Sequence, residues 1–155
     1  MQDLLDDTDL TILRILQQDS KKTAKEIAAH LDLTPSPIYE RIRRLERAGY
    51  IAAYVALLDK KLFPQLAVTA FCQVSMRYHD SNYIEKFEAQ VRELEEVQEC
   101  FHMAGKVDFI LKVNSASLDD YHDFIRYKLS AIENIGELNS SFVLKEIKRT
   151  TALNV

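Results

Sequence analysis

Residues Thr23 to Tyr54 read TAKEIAAHLDLTPSPIYERIRRLERAGYIAAY, and their pattern predicts the architecture of the N-terminal part of the chain. Its pattern predicts two short helices joined by a tight turn at Asp32-Leu33 and followed by a strand. The second of these two helices, which follows the turn, carries four arginines opposite an apolar stripe. Such a helix can bury one face in its own domain and offer the other to phosphates and base edges in a DNA major groove. The stretch therefore predicts a helix-turn-helix unit that contacts DNA.

The residues before the turn supply the expected packing face and caps. Residues 6–18 place leucine and isoleucine at three- and four-residue spacings, which predicts a further helix with Asp6 as its N-cap. Thr23 and Glu26 form a capping-box pattern at the start of the next helix. Three helices in a row are therefore predicted.

The arginine-bearing helix is expected to begin at Thr34 or Ser36 and to end at Gly49. Prolines at its start lose no intrahelical hydrogen bond, and glycine readily takes the left-handed conformation that stops a helix. Residues 50–56 (YIAAYVA) are predicted as a strand in the position of a wing.

The pattern changes after residues 59–65, the candidate linker, which contain two lysines and a proline. The predicted elements are a strand at 68–76, a helix around 84–94, strands at 97–103 and 109–113, a helix beginning at Ser117 and a strand at 138–147. This βαββαβ order is that of a ferredoxin-like domain. The expected fold is α+β, with a winged helix-turn-helix at 1–60 and a ferredoxin-like βαββαβ domain at 61–155.

Composition excludes several classes of protein. Hydrophobic residues make up 47% and charged residues 28%, and no apolar run approaches the length of a membrane span. The acidic N-terminus is unlike a signal peptide, and two cysteines build no disulfide framework, so a cytoplasmic protein with both thiols buried is expected. The net charge of −4 does not oppose DNA binding, because residues 36–50 hold four arginines and two glutamates.

Neither a metal site nor an enzyme is predicted. The four histidines lack metal-ligand spacing, and no nucleophile, phosphate-loop or dinucleotide motif occurs. Acidic pairs stand at helix starts, where capping explains them. No catalytic residue and no cofactor are therefore assigned.

The candidate DNA contacts lie on or beside the polar face of the third helix. They are Thr34, Ser36, Pro37, Tyr39, Glu40, Arg41, Arg43, Arg44 and Arg47. Arginine can bind a guanine edge with two hydrogen bonds or hold a phosphate. The alternative is that these arginines are solvated or paired with nearby glutamates. Glu40 in particular could accept from a cytosine amino group or pair with Arg44.

The second face of the predicted sheet should be covered, because both helices of a ferredoxin-like domain lie on one side. Phe71, Phe142 and Leu144 are expected on that second face, which would be too apolar to leave in water. A second copy of the sheet is predicted to cover it, giving a two-fold homodimer.

The chain resembles the Lrp/AsnC family of transcription regulators along nearly its whole length. LDLTPSPIYERIRRLERAGYIAAYVALLD is similar to that family's recognition helix and wing, AGKVDFILKV to its G-x-x-D turn, and KEIKRTTAL to its C-terminal strand. The resemblance implies dimers that commonly assemble into octamers. It also implies an amino-acid effector bound at the junction between dimers.

The resemblance places the effector-binding residues at the G-x-x-D turn and on the facing strand. They are Met103, Ala104, Gly105, Asp108, Leu138, Ser140 and Ser141. The middle of the turn is Lys106-Val107, where the family often has an acidic and an aromatic residue. The alternative is a tight connection in which Gly105 takes positive φ and Asp108 bonds the loop backbone.

The expected function is a sequence-specific regulator that binds double-stranded DNA, is associated with the nucleoid and responds to an amino-acid-like effector. Two alternatives remain open: an architectural DNA-binding protein without effector, and an amino-acid-sensing module acting on a protein partner.

Overall fold

The computed structural model describes residues 5–155 and contains two compact units. One unit comprises the described residues up to Leu57 together with Lys148–Val155, and the other comprises Leu58–Ile147. The helices are α1 (Asp7–Gln18), α2 (Ala24–His30), α3 (Pro35–Arg47), α4 (Ser81–Arg92) and α5 (Leu118–Asp123). The strands are β1 (Val68–Met76), β2 (Val97–His102), β3 (Phe109–Ser115) and β4 (Ile135–Phe142). The predicted division into domains at residue 60 stays a prediction. Residues 148–155 group with the first unit.

The first unit is the predicted three-helix arrangement. Asp6 caps α1, and Thr23 with Glu26 forms the capping box of α2, as predicted. Thr34 is the N-cap residue of α3 by its backbone angles, and Gly49 with φ of 80° follows the end of that helix. The core of the unit consists of Ile12, Leu13, Leu16, Ile27, Ala28, Ile38 and Leu45. Local sequence signals therefore account for the starts of α1 and α2 and for the end of α3.

The strand predicted at residues 50–56 does not form. Strand pairing needs a neighbouring backbone, and none of the described strands lies beside this segment. Ala52–Leu57 is instead exposed, with Val55 and Leu57 at 70% and 65% of their full accessibility. Alternating apolar residues identified an extended segment but could not supply its partner.

The second unit is an antiparallel four-stranded sheet in the order β2-β3-β1-β4, with helices on one face. The βαββαβ order is confirmed. Alternate residues of β1 and β3 point into the core, where Phe87 of α4 lies 4.5 Å from Phe109, measured between ring centroids. A short π-helical turn at Phe124–Lys128 and a 3-10 turn at Leu129–Ala131 continue α5 towards β4.

Three expectations about side chains and strand ends are wrong. The last strand covers 135–142 and not 138–147. Phe142, expected on the open face, pairs with Ala70 and lies edge-on to Tyr121, so it faces the helices. Phe71 pairs with Ser141 and does lie on the open face. Cys100 is exposed, because β2 is an edge strand, while Cys72 is buried.

The candidate linker forms two 3-10 turns, Lys60–Leu62 and Pro64–Leu66. Of the helices described, none combines the length and the apolar character that crossing a membrane requires.

Candidate nucleic-acid interface and effector loop

The third helix has one buried and one exposed side, and most of the predicted DNA contacts lie on the exposed one. Ile38 and Leu45 are 0% and 1% exposed and hold the helix against the core. The exposed candidates are Thr34, Ser36, Pro37, Tyr39, Glu40, Arg43 and Arg47. Because the exposed set includes the start of α3, the turn before it and the first helical turns are open to an incoming ligand.

Arg43 and Tyr39 form one element of this exposed side. The Arg43 guanidinium carbon lies 5.3 Å from the centre of the Tyr39 ring, within the range of a cation–π contact. One turn further, Arg47 donates from Nε to the Arg43 carbonyl at 3.3 Å. Both contacts are local to the helix, so the charges of these two arginines face solvent.

Arg41 and Arg44 have different surroundings, because both reach acidic residues at the start of α1. Arg41 Nη1 lies 2.8 Å from Asp9 Oδ1 and 2.6 Å from Asp6 Oδ2, and Arg44 Nη2 pairs with Asp9 Oδ2. The guanidinium of Arg41 donates hydrogen bonds to Asp9 and to Asp6, and these raise the pKa of Arg41, with Asp9 having the larger effect. The four arginines thus separate into an exposed pair and a pair bound within the unit. Arg44 takes its carboxylate partner from α1 rather than from Glu40.

The segment after α3 is attached to that helix by a tyrosine. Tyr54 donates from its hydroxyl to Glu46 Oε1 at 2.9 Å. Partial desolvation of the phenol, followed by the hydrogen bond and charge of Glu46, raises the pKa of Tyr54 to about 12. The phenol therefore stays protonated at physiological pH and keeps this part of the chain beside α3.

Asp108 of the G-x-x-D turn is bonded within its own chain. Its Oδ2 accepts from the Met76 backbone N–H at 2.7 Å, and its Oδ1 lies 2.9 Å from His79 Nε2. Its backbone N–H donates to the Val74 carbonyl at 3.0 Å. Gly105 is not in the positive-φ region, and a Cβ at that position would meet no atom within 4 Å. The loop is therefore open at Gly105 and anchored at Asp108.

The remaining effector candidates are divided between several surfaces. Met103 and Ala104 are exposed. Leu138 packs against the core, and the Ser140 hydroxyl lies 2.6 Å from that of Tyr121, whereas Ser141 lies on the open face. Strand β1 separates Asp108 from β4, and two strand spacings amount to roughly 9–10 Å. Ser140 and Ser141 also point to opposite faces of the sheet, so one chain does not turn all of these residues towards a single small molecule.

Two cavities were not anticipated from the sequence. One, of about 480 Å³, lies between α4 and the edge strand β2 and is lined by Glu88, Arg92, Cys100 and His102 among others. The other, of about 580 Å³, lies in the first unit between α1, residues 50–57 and the C-terminal residues. Their lining residues come from separate elements without a shared motif, so no sequence signal identified them. Residues 5–155 bring together no group of three His, Cys, Asp or Glu side chains that could hold a metal ion.

Comparison with protein families assigns both halves of the chain. Residues 5–52 match the family model described as winged helix-turn-helix DNA-binding. Residues 69–153 match the model described as the Lrp/AsnC ligand binding domain.

Individual relatives align along almost the entire chain. The DNA-binding transcriptional activator DecR of Escherichia coli K12 is 32% identical over 152 residues, covering 98% of this chain and 99% of DecR. The leucine-responsive regulatory protein of Salmonella typhimurium is 31% identical over 149 residues, covering 96% of this chain and 90% of that protein. The crystal structure of the Neisseria meningitidis transcriptional regulator NMB0573 in complex with L-Met superimposes with a TM-score of 0.91 at 37% identity, covering 97% of this chain and 96% of that one.

Proposed function

The chain belongs to the Lrp/AsnC family of DNA-binding transcriptional regulators, which are not enzymes, and on this premise we propose that it contacts duplex DNA through the exposed side of α3. The observation that carries the proposal is the division of the arginines. Arg43 and Arg47 face solvent beside Tyr39, while Arg41 and Arg44 are held by α1.

The start of α3 suits entry into the major groove. Ser36, Pro37 and Tyr39 are exposed in its first turns, where a recognition helix approaches the base edges. Arg43 and Arg47 lie one turn apart and can bind guanine edges or adjacent phosphates. Glu40, between them and the helix start, can accept from a cytosine amino group.

The test compares arginines that have similar surroundings in this chain. Arg43→Ala and Arg47→Ala are measured for DNA affinity as a function of salt, with Arg126→Ala as the control. Arg126 is also exposed and lies 5.2 Å from a tyrosine ring, that of Tyr127, but it belongs to the other unit. Each α3 substitution should weaken binding and lower the salt slope by about one if the arginine contacts a phosphate. Wild-type affinity for both variants would remove this face from the DNA contact.

A homodimer formed through the open face of the sheet would present two copies of α3. Phe71 and Phe101 lie on that face at 40% and 48% exposure, with Ile110 opposite Phe101. Covering such rings favours association. Each operator should then be a rough palindrome with half-sites separated by turns of the duplex.

Light scattering after size-exclusion chromatography should give a dimer or a multiple of it, and Phe71→Glu should favour the monomer. A wild-type monomer at micromolar concentration would exclude this interface.

An amino acid is the proposed effector, bound where dimers meet and assemble into larger rings such as octamers. Support comes from the match to a ligand-binding domain and from the similar Neisseria protein in complex with L-Met. The separation of the loop from β4 and the opposite orientations of Ser140 and Ser141 favour a site completed by another copy. The effector would act only through its different affinities for two assembly states.

Calorimetric titration with each of the common amino acids tests the effector. Heat should be released for one or a few of them, and the ligand should change the size distribution of the assembly. A series without any response would count against this part of the proposal.

An architectural DNA-binding role without effector is a second candidate. It is favoured by Asp108, whose two carboxylate oxygens already have partners in the chain. This role predicts wide sequence tolerance and no ligand response. Either role places the protein in the cytoplasm, associated with the nucleoid.

A further inference from the structure

Asp9 is a carboxylate buried at the junction of α1 and α3. Its side chain is 0% exposed, whereas the side chains of Arg41 and Arg44 are 31% and 40% exposed. Oδ1 receives Arg41 at 2.8 Å, and Oδ2 receives Arg44 and the backbone N–H of Asp6, the latter at 3.2 Å. Every one of these contacts is to a hydrogen-bond donor, so both carboxylate oxygens have partners.

Separating these groups is unfavourable for the buried carboxylate but not for the partly exposed guanidinium groups. A buried carboxylate without partners would be strongly unfavourable, so Asp9 holds the guanidinium groups firmly. The guanidinium groups themselves are partly exposed, and once released they could extend into water. They originate from the same helix as Arg43 and Arg47, which makes DNA phosphates the alternative partners for their charge.

We propose that Asp9 is a positioning residue that keeps Arg41 and Arg44 away from DNA phosphates, so that α3 reads sequence with few non-specific contacts. The inference depends on the proposed contact of α3 with DNA. Within that function it assigns a specificity role to a residue of α1. Phosphate contacts raise affinity for all sequences alike, so withholding two of them increases the ratio of specific to non-specific binding.

The test replaces Asp9→Asn in the full chain and uses Asp7→Asn as the matched control. Both substitutions remove one negative charge from the first turn of α1, and Asp7 is exposed. Binding to a mixed-sequence duplex and to a duplex selected in vitro is measured between about 50 and 200 mM salt. Circular dichroism verifies that each variant is folded.

Release of Arg44, together with Arg41 when its remaining pair with Asp6 also opens, should steepen the salt slope by about 1–2, since each phosphate contact contributes about 0.9. For the mixed-sequence duplex this corresponds to a loss of affinity about 4- to 16-fold larger across that salt range. The specificity ratio should fall, and Asp7→Asn should retain the wild-type slope. A folded Asp9→Asn protein with the wild-type slope and specificity ratio would overturn the proposal.

Arg44→Gln decides the matter if Asp9→Asn does not fold, because Arg41 still neutralises Asp9 in that variant. If Arg44 is withheld from DNA, its removal lowers stability and leaves the salt slope unchanged. A slope reduced by about one would mean that Arg44 contacts a phosphate, and the inference would be wrong. Failure of the proposed DNA face has a different signature, which is an unchanged affinity of Arg43→Ala and Arg47→Ala.

Discussion

Replacing Asp108 by alanine should destabilise the sheet unit, because the carboxylate joins two segments of that unit. Its Oδ2 accepts from the backbone N–H of Met76, where the pairing of β1 with β4 shifts in register. Met76 is only 6% exposed, so water has little access to the donor that alanine would leave without an acceptor. The His79 imidazole would also lose its partner.

The two contacts should contribute very differently to the free energy of unfolding. A hydrogen bond from a backbone N–H to a carboxylate is worth about 1.5–3 kcal/mol. The pair with His79 is worth about 0–1 kcal/mol, because 65% of that side chain is exposed. Asp108→Ala should therefore cost about 2–3 kcal/mol and His79→Ala less than about 1 kcal/mol. Asp108→Asn should fall between them, since an amide oxygen can still accept from Met76.

The assay is chemical denaturation followed by far-ultraviolet circular dichroism, because the chain has no tryptophan to report on folding. Protein concentration must be equal for all variants, since assembly stabilises the folded state by mass action. Unfolding of Asp108→Ala within about 0.5 kcal/mol of the wild type, the usual effect of a surface substitution, would show that the Met76 contact does not stabilise the sheet. Asp108 would then be available to a ligand at no cost to the fold.

Three further predictions concern the first unit. Asp32 has φ of 53°, so Asp32→Val should cost about 1–2 kcal/mol in thermal or chemical unfolding, while Asp32→Gly should not destabilise. Gln17 is bonded to both backbone groups of Leu153, so Gln17→Ala should speed exchange of the Leu153 amide hydrogen about fivefold, for a loss of about 1 kcal/mol. The backbone N–H of Asp9 donates a hydrogen bond that lowers the pKa of Asp6, and a hydrogen bond from the Arg41 side chain lowers it further. A hydrogen bond from the backbone of Thr23 lowers the pKa of Glu26. The stability that these two ionised carboxylates give the folded protein should be complete above their ordinary pKa values of 3.8 and 4.5. It should be lost as the pH falls through their lower folded pKa values, which an acid titration of helicity can follow.

Local signals in the sequence were sufficient for the element order and for most helix ends. Thr23 with Glu26 and the glycine after α3 act within a few residues of their own helix, so their roles could be read directly. The strand at 50–56 failed for the opposite reason, since an extended segment becomes a strand only when another backbone lies beside it. The sequence pattern predicts the wrong sheet face for Phe142, because a change of one residue in register reverses the side of every side chain.

The linear pattern of residues is sufficient to predict a three-helix unit followed by a βαββαβ unit, with the arginines on one helix of the first unit. Periodicity and capping are interactions between residues three or four positions apart, which a linear pattern contains completely. Tertiary structure alone decided which arginines remain available. Arg41 and Arg44 meet Asp9 from 32 and 35 positions away, and a carboxylate sealed between two helices can be identified only after the helices have packed.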